Sequence, residues 1–449
     1  MTEWLRTHKR CALWAGMGIG KSSAAAFTDE ALRLLGDIGG DPTLIIGPMR
    51  VARDTWPDEF AKWDQFSHVK IVPLVGTPPH REHLLKRFLG KAQYFSVSYD
   101  LLPWLVEHFL AKWPFRQVIA DESDRLKGLR GRGGGKRAGQ IARVAHTLVD
   151  RWVNLTGTPS PNGLKDLWGQ TWYLDRGQRL GKTYTAFMDR WFRTNQYTRR
   201  VEPMPHSEAE IHAALRDICL TVDPKDYFDL REPRVVEVRV KLPLAARKIY
   251  RQLEKEMFAE LADAKELRVF NAAALTNKCL QLANGAAYTD AAGNWSEVHN
   301  EKLEALESIQ AEAGGMPLLV AYQFKSDKAR ILKAFKGAVD LTARDGMAAF
   351  REGRAPIGLA HPQSLGHGID GLQDVTNYLV RFGHGWGLGE RLQMLERIGP
   401  MRQLQSGHDR LVHVFDIIAE GTVDEDVIAA HAHKRGVQDA LLAAMKRRK

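Results

Sequence analysis

Residues 15–22 read Ala-Gly-Met-Gly-Ile-Gly-Lys-Ser, and this stretch decides how the first half of the chain is interpreted. An apolar run at 11–14 predicts a strand before it, and residues 22–35 predict a helix after it. Glycines let backbone N–H groups turn onto phosphate oxygens, and the helix adds its positive dipole end. The pattern therefore predicts a phosphate-binding loop, although a glycine-rich turn with an exposed Lys21 is the alternative. The predicted nucleotide-binding residues are Gly16, Met17, Gly18, Ile19, Gly20, Lys21 and Ser22.

A second motif follows the predicted strand at 117–120, where the chain reads Asp121-Glu122. Strand ends at one edge of a parallel sheet share a crevice, so these carboxylates are expected near the phosphate loop. Two adjacent carboxylates are costly unless a cation neutralises them. We predict that Asp121 and the Ser22 hydroxyl hold Mg²⁺ and that Glu122 orients the attacking water. An exposed acidic turn is the alternative.

Strands and helices alternate in both halves of the chain, which predicts an α/β fold with parallel sheets covered on both faces. Predicted strands lie at 43–47, 69–75, 94–97, 118–120, 152–155, 317–322, 357–361, 377–382 and 411–417. Predicted helices lie at 101–112, 140–150, 301–313, 326–335 and 389–397, and residues 244–284 predict a helical middle. We expect an N-terminal ATP-binding lobe (1–202), a linker and helical segment (203–300) and a C-terminal lobe with a basic tail (301–449).

Composition narrows the classes of protein that the chain can be. Its 449 residues are 44% hydrophobic and 26% charged, enough for two globular domains. Bulk disorder and a disulfide-stapled mini-protein are excluded, and no apolar run reaches the roughly 18 residues that a membrane helix needs. Three cysteines without a close pair fit a reducing cytoplasm. The net charge of +10 suits a polyanionic partner.

Taken in order, the motifs resemble those of the Swi/Snf-like branch of superfamily-two helicases, in the compact form found in bacteriophages. The resemblance covers nearly the whole chain. Its blocks are GMGIGKS (16–22), LIIGPMRVARDTWPDEFAKW (44–63), SVSYDLLPWL (96–105), VIADESDRLKG (118–128), LTGTPSPNGLKDLWGQTWYLD (155–175), LLVAYQF (318–324), HPQSLGHGIDGLQ (361–373) and QMLERIGPMRQ (393–403).

The resemblance implies two RecA-like lobes in tandem, a P-loop NTPase architecture, with ATP in the cleft between them. It implies that arginines of the second lobe, Arg397 and Arg402, act in catalysis beside Glu122, and that Gly368 and Gln393 contribute to nucleotide binding. It also implies DNA contacts in loops around Pro48, Arg53, Ser98, Ser364 and Gly366.

The chain departs from the family pattern in three places. No glutamine precedes residue 11, where relatives carry an adenine-reading segment. Relatives have two arginines three residues apart in the last motif, whereas here Pro400 takes the second position and Arg402 follows. Residues 369–371 read Ile-Asp-Gly in place of an apolar–Asn–apolar run.

One basic segment supplies further candidates for DNA contact. Residues 125–137 read RLKGLRGRGGGKR, with six basic residues and no acidic one. They predict a loop in which Arg130 and Arg132 grip phosphates, and a solvated insert is the alternative.

The sequence thus predicts an ATP-dependent DNA helicase or translocase with ATP and Mg²⁺ as cofactors. We expect duplex DNA as partner, a role with phage replication, recombination or repair proteins, a cytoplasmic location and no membrane association. Two alternatives stay open: a DNA-binding scaffold with a vestigial ATP site, and a ring-forming P-loop ATPase.

Overall fold

The computed structural model describes residues 1–16, 18–130, 135–157, 159–160, 163–194, 201–263, 269–290, 293–365 and 370–432. The chain divides into two compact units, Met1–Phe228 and Asp229–Lys449. Residues 203–228 belong to the first unit and residues 229–300 to the second. The functional division into segments 1–202, 203–300 and 301–449 stays a prediction.

The first unit is built on a seven-stranded sheet in which all strands are parallel, in the order β3-β4-β2-β5-β6-β1-β9. Its strands are β1 (Arg10–Ala15), β2 (Thr43–Gly47), β3 (Ile71–Pro73), β4 (Tyr94–Ser98), β5 (Gln117–Asp121), β6 (Arg151–Thr156) and β9 (Cys219–Val222), with a separate hairpin of β7 (Phe192–Thr194) and β8 (Val201–Pro203). Its α-helices are α1 (Thr2–Thr7), α2 (Lys21–Leu34), α3 (Trp56–Ala61), α4 (Pro78–Phe88), α5 (Leu102–Phe109), α6 (Lys136–Ala145), α7 (Asp166–Asp175), α8 (Tyr184–Trp191) and α9 (Ser207–Leu215). A π-helical turn spans Val51–Thr55, and 3₁₀ turns span Asp64–Phe66, Tyr99–Leu101, Leu110–Lys112, Ser123–Gly128 and Pro224–Asp226.

Alternate residues along these strands pack on opposite faces of the sheet. In β1, Leu13 joins a core with Trp56 on one face, whereas Ala12 and Trp14 join a core with Trp152 on the other. Both faces are therefore covered, as a parallel sheet requires. Five aromatic residues of segment 168–192 lie in the core on the Trp152 face: Trp168, Tyr173, Phe187, Trp191 and Phe192.

The second unit repeats this plan with a six-stranded parallel sheet in the order β10-β17-β16-β13-β15-β14. Its strands are β10 (Arg234–Val240), β13 (Leu318–Ala321), β14 (Val339–Asp340), β15 (Ile357–Ala360), β16 (Tyr378–Arg381) and β17 (His413–Ala419), with a hairpin of β11 (Ala286–Tyr288) and β12 (Trp295–Glu297). Its α-helices are α10 (Leu244–Asp263), α11 (Val269–Ala283), α12 (Glu301–Glu312), α13 (Lys325–Ala334), α14 (Arg344–Arg351), α15 (Pro362–Leu365), α16 (Leu372–Val375), α17 (Leu388–Glu396), α18 (Pro400–Gln405) and α19 (Val423–Ala432).

The predicted α/β architecture is confirmed. The helical middle predicted at 244–284 contains the helices α10 and α11. The strand predicted at 69–75 is shorter in the structure, where it pairs with β4 over Ile71–Pro73. Several elements were not predicted, among them β9 and β10, which each form an edge strand of a sheet. Among the described residues, no helix has both the length and the apolarity that crossing a bilayer requires.

Gly169 sets how closely α7 approaches the turn after β5. A Cβ at Gly169 would lie 2.7 Å from the carbonyl oxygen of Lys127 and 2.9 Å from that of Leu126. Both carbonyls belong to the 3₁₀ turn Ser123–Gly128, which directly follows the acidic pair. Any larger residue would therefore push the turn and the acidic pair away from α7.

We predict that Gly169→Ala lowers the free energy of unfolding by about 2 kcal/mol or more, because the added methyl meets backbone atoms that cannot rotate away. Chemical denaturation measures the change. Gly139→Ala is the matched control: Gly139 is also helical, and a Cβ there meets nothing within 4 Å. That variant should be neutral or gain up to about 1 kcal/mol. Equal effects of the two substitutions would contradict the close-approach explanation.

Candidate functional site in the first unit

Three strands of the first sheet end side by side at the candidate site. β6 lies between β5 and β1, with Leu155 beside Asp121 and Thr156 beside Trp14. Because all three strands are parallel, their carboxyl ends face the same edge. The loop after β1 and the acidic pair at the end of β5 therefore meet at that edge, as the sequence predicts, and the turn after β6 lies at the same edge.

The loop between β1 and α2 has a backbone that requires glycine. Gly18 and Gly20 have φ values of 82° and 81°, in the left-handed region. Gly20 is the N-cap of α2 and supplies no side-chain cap. A Cβ at Gly16 would lie 2.9 Å from Cγ of Pro224. The loop thus follows a course that other residues would strain, while Met17 lies outside the described residues.

Lys21 begins α2 and folds its side chain into the loop. Its Nζ donates to the backbone oxygens of Ala15 at 2.6 Å and Gly16 at 2.8 Å. Its positive charge also acts to lower the pKa of Asp121. Ser22 follows in the first turn of the helix and is half-buried. The ammonium group is therefore held at the loop, where a phosphate would meet it.

Asp121 is a buried acidic group at this edge, 7% exposed, and three hydrogen bonds hold it. The indole Nε1 of Trp56 donates to Oδ2 at 3.0 Å, and the Glu122 N–H donates to Oδ1 at 3.0 Å. The Tyr99 hydroxyl donates to the backbone oxygen of Asp121 at 2.8 Å. Burial raises the pKa of Asp121, while Lys21 and these hydrogen bonds act in the opposite direction.

The donor set at this edge fits Mg²⁺. A carboxylate and a hydroxyl, those of Asp121 and Ser22, are hard oxygen ligands. Among the described residues, no group of three His, Cys, Asp or Glu side chains could enclose a metal ion. Mg²⁺ is commonly held by one or two protein oxygens, with water and substrate phosphates completing its octahedron.

Glu122 has a strained backbone, with φ 52° and ψ 52°. Left-handed geometry at a residue other than glycine costs of order 1–3 kcal/mol and persists where the surroundings enforce it. Here the next residue, Ser123, is fully buried, and its hydroxyl donates to Oε1 of Gln170 at 3.4 Å. The Nε2 of Gln170 donates to the backbone oxygens of Pro159 and Asp166. Gln170 therefore connects the acidic turn to the turn after β6.

Sequence reasoning missed the roles of Trp56 and Gln170. Both lie inside quoted motif blocks, at 44–63 and 155–175, but neither has a titratable group that would mark it. Each becomes recognisable only when the fold brings it against the acidic pair. The Tyr99 hydroxyl, directly after Ser98, supports the backbone of Asp121. The DNA contact around Ser98 stays a prediction.

The second unit carries the other predicted nucleotide residues. Gln393 is half-buried on α17, and Arg397 follows at its end, 5% exposed. Arg402 lies on α18, and its Nη1 is 2.9 Å from Oδ1 of Asp370. Gly368 lies outside the described residues.

Some of the residues predicted to contact DNA are buried, and others are exposed to solvent. Pro48 and Ser98 are buried, so Ser98 presents no hydroxyl to a DNA backbone in this conformation. The exposed ones are Arg53, which pairs with Asp54 at 2.7 Å, Arg130, which lies over the Tyr184 ring, and Ser364. Arg132 and Gly366 lie outside the described residues.

Comparison with known proteins identifies related chains. Residues 5–285 match the SNF2-related domain. Protein p41 of Acyrthosiphon pisum secondary endosymbiont phage 1 is 47% identical over 445 residues, which cover 98% of this chain and 96% of p41. The transcription regulatory protein SNF2 of Saccharomyces cerevisiae is 24% identical over 352 residues, 75% of this chain and 20% of SNF2. This chain thus spans about a fifth of the yeast protein.

A solved structure supports the fold. The helicase domain of Pyrococcus furiosus Hef aligns with a TM-score of 0.51 at 13% identity, covering 96% of this chain and 97% of that domain. At this identity the likeness concerns the arrangement of the sheets and helices alone.

We predict that Trp56→Phe lowers the free energy of unfolding by about 1–3 kcal/mol, because it removes the donor to a buried carboxylate and keeps most of the ring. Urea denaturation at neutral pH measures this. Trp63→Phe is the matched control, since the Nε1 of Trp63 also donates to a carboxylate, Oε1 of Glu59, but its ring is 40% exposed. The control should change stability by less than about 0.5 kcal/mol. If the two variants are equally stable, the indole is not what holds Asp121.

Proposed function

The chain belongs to the SNF2-related family, the SNF2-like branch of the superfamily-two helicases, and from this we propose that it hydrolyses ATP to move along DNA. The chain has the family's ATPase and helicase core. The proposed role is that of a DNA translocase in phage DNA replication, recombination or repair.

One observation supports this proposal above the others: Lys21, Asp121 and Glu122 meet at one edge of one parallel sheet. Lys21 would bind the β- and γ-phosphates from the loop after β1. The Asp121 carboxylate already accepts hydrogen bonds from Trp56 and from the Glu122 N–H. The neighbouring Glu122 carboxylate would therefore be the one that orients the attacking water. Asp121 and Ser22 would hold Mg²⁺, which neutralises charge that develops on the phosphates.

Arginines of the second unit complete the proposed chemistry. Arg397 and Arg402 follow one another at the end of α17 and within α18. In related phosphoryl-transfer enzymes an arginine directed at the γ-phosphate contributes about 10³ to 10⁵ in rate. We propose that this pair supplies that charge. Arg402 would exchange its ion pair with Asp370 for the nucleotide.

DNA is the proposed partner, and duplex DNA the preferred form. The net charge of +10 favours a polyanion. Arg130, Arg53 and Ser364 are exposed and are the proposed contacts to backbone phosphates. Contacts of this kind weaken steeply with added salt and carry little sequence preference.

The first test is Lys21→Ala. We expect ATP turnover to fall by about 10²-fold or more, because one preorganised positive charge at the phosphates is removed. DNA binding should be unchanged, since Lys21 faces its own loop. Turnover is measured with duplex DNA, single-stranded DNA and RNA at two salt concentrations. Lys91→Ala, at an exposed position away from the loop, is the control and should behave as wild type.

A second variant separates binding from chemistry. Glu122→Gln should bind ATP with wild-type affinity and turn it over at least about 10²-fold more slowly, because the amide cannot accept a proton from water. Equilibrium binding of labelled ATP checks the first part, and a phosphate-release assay checks the second. A wild-type chain that binds DNA without any DNA-stimulated ATP hydrolysis would instead support the scaffold hypothesis. A stable ring in sedimentation analysis would support the ring-forming ATPase.

A further inference from the structure

A cavity in the second unit lies at the carboxyl edge of its own sheet. It is lined by Arg381 at the end of β16, by residues that follow β13 and β16, among them Gln323 and His384, and by Arg391 and His431 from two helices. In parallel α/β sheets, ligands bind at this edge. The cavity belongs wholly to the second unit and is distinct from the loop at 16–22.

A glycine-rich loop forms one wall of the cavity. Residues 383–387, Gly-His-Gly-Trp-Gly, connect β16 to α17. A Cβ at Gly383 would lie 2.6 Å from Nδ2 of Asn284, and one at Gly385 would lie 2.7 Å from Oε1 of Gln323. Gly387 is the N-cap of α17, a helix of nine residues, and supplies no side-chain cap. A strand, a glycine loop and a helix N-terminus thus follow one another at the cavity, and the first N–H groups of a helix have no intrahelical partners.

Two arginines beneath this loop share one carboxylate, that of Asp416. The single carboxylate of Asp416 receives Arg381 at 3.2 Å and Arg391 at 2.5 Å. Asp416 is 2% exposed, and the two guanidinium groups lower its pKa to about 2. Two arginines therefore share one buried anion. Such a pair readily accepts a second anion, because guanidinium groups recognise oxyanions through several N–H donors.

Buried polar atoms at the cavity lack partners, which is the second sign of a ligand. Nε of Arg381 and Nδ1 of His384 form no hydrogen bond within the described part of the chain, although the two residues are only 6% and 2% exposed. Nε2 of His384 is 2.9 Å from the backbone oxygen of Ile417, so it carries the proton and Nδ1 holds a lone pair. A bound ligand would supply the partners that these two atoms lack.

One acidic group at the rim opposes an entering anion. Glu390 lies in the first turn of α17, and a Cβ at Gly387 would lie 2.8 Å from its Oε2. Its Oε1 accepts from Nε2 of Gln363 at 2.9 Å. The carboxylate thus lies against the uncapped helix end, where a bound oxyanion would sit.

We propose that this cavity is an oxyanion site that takes a phosphate group, bound by Arg381, Arg391 and the N–H groups at the start of α17, with Glu390 as its internal competitor. A phosphate that carries one proton can donate it to the His384 Nδ1 lone pair. The phosphate group could come from inorganic phosphate or from a nucleic-acid backbone. The proposal does not depend on ATP hydrolysis at the first unit.

The test uses the full chain carrying Lys21→Ala, so that phosphate binding at the loop of the first unit is weakened. Titration with inorganic phosphate, followed by calorimetry at constant ionic strength, gives the affinity. Arg391→Gln should weaken binding at least tenfold, and Glu390→Gln should tighten it severalfold. Arg410→Gln is the matched control: Arg410 is a partly exposed arginine of the same unit whose Nε donates to Gln403 rather than to a cavity residue. Its affinity should equal that of the parent.

Weaker phosphate binding by Arg391→Gln together with tighter binding by Glu390→Gln would support the site. Equal phosphate affinities of the parent and the three variants would overturn it. Should Arg391→Gln fail to fold, crystals of the parent protein soaked in tungstate decide the matter. Anomalous density beside Arg391 supports the proposal, and its absence at saturating tungstate refutes it.

A duplex-binding assay then identifies the source of the phosphate group. If backbone phosphates enter the cavity, inorganic phosphate competes with DNA and Arg391→Gln weakens DNA binding. If free phosphate is the ligand, DNA binding is the same in both proteins. Both outcomes uphold the oxyanion site. If the wild-type protein hydrolyses no ATP in a separate assay, that result contradicts the proposed function and leaves the oxyanion site untouched.

Discussion

The buried carboxylate of Asp121 is the constraint on which the first unit depends. A charged group this deep is costly unless it is hydrogen-bonded and balanced by opposite charge. Trp56, the Glu122 N–H and Lys21 meet that requirement from three separate segments of the chain. Each segment must therefore be in place at once, which connects the phosphate loop, the start of α3 and the acidic pair at one edge of the sheet. The strain at Glu122 can persist because that edge holds its neighbours on both sides.

Much of this edge could be predicted from the sequence, because its main parts are local. A strand, a glycine loop and a helix follow each other within residues 10–34, and Asp121 ends a run of buried residues. Parallel pairing then requires the strand ends to coincide, whichever strand order the sheet adopts. The supports could not be predicted in the same way. Trp56 lies 65 residues from its acceptor, and Gln170 lies 47 residues from Ser123, so only the fold shows these pairs.

In the second unit the candidate site could not be recognised from the sequence, because its residues come together only in the folded structure. Arg381, Arg391 and Asp416 lie on β16, α17 and β17, and nothing in their spacing marks them as a cluster. The glycines at 383, 385 and 387 resemble any loop until the structure shows what lies against them. Side-chain amides of Asn284 and Gln323 occupy the space that a Cβ would need. His384 lies in the same loop, where burial lowers its pKa to about 4 and a hydrogen bond to the backbone oxygen of Ile417 fixes its ring.

The two edges use the same physical means for different purposes. In each unit a parallel sheet directs a glycine loop and a helix N-terminus toward one crevice, and a buried aspartate lies beside basic groups. In the first unit one lysine faces one buried aspartate and a second carboxylate, a balance that leaves room for a divalent cation. In the second unit two arginines face one buried aspartate, and Glu390 at the rim is the carboxylate that an entering anion would displace. The placement of the charges, rather than the shared fold, therefore sets what each edge can bind, because charges act more strongly where burial limits screening by water.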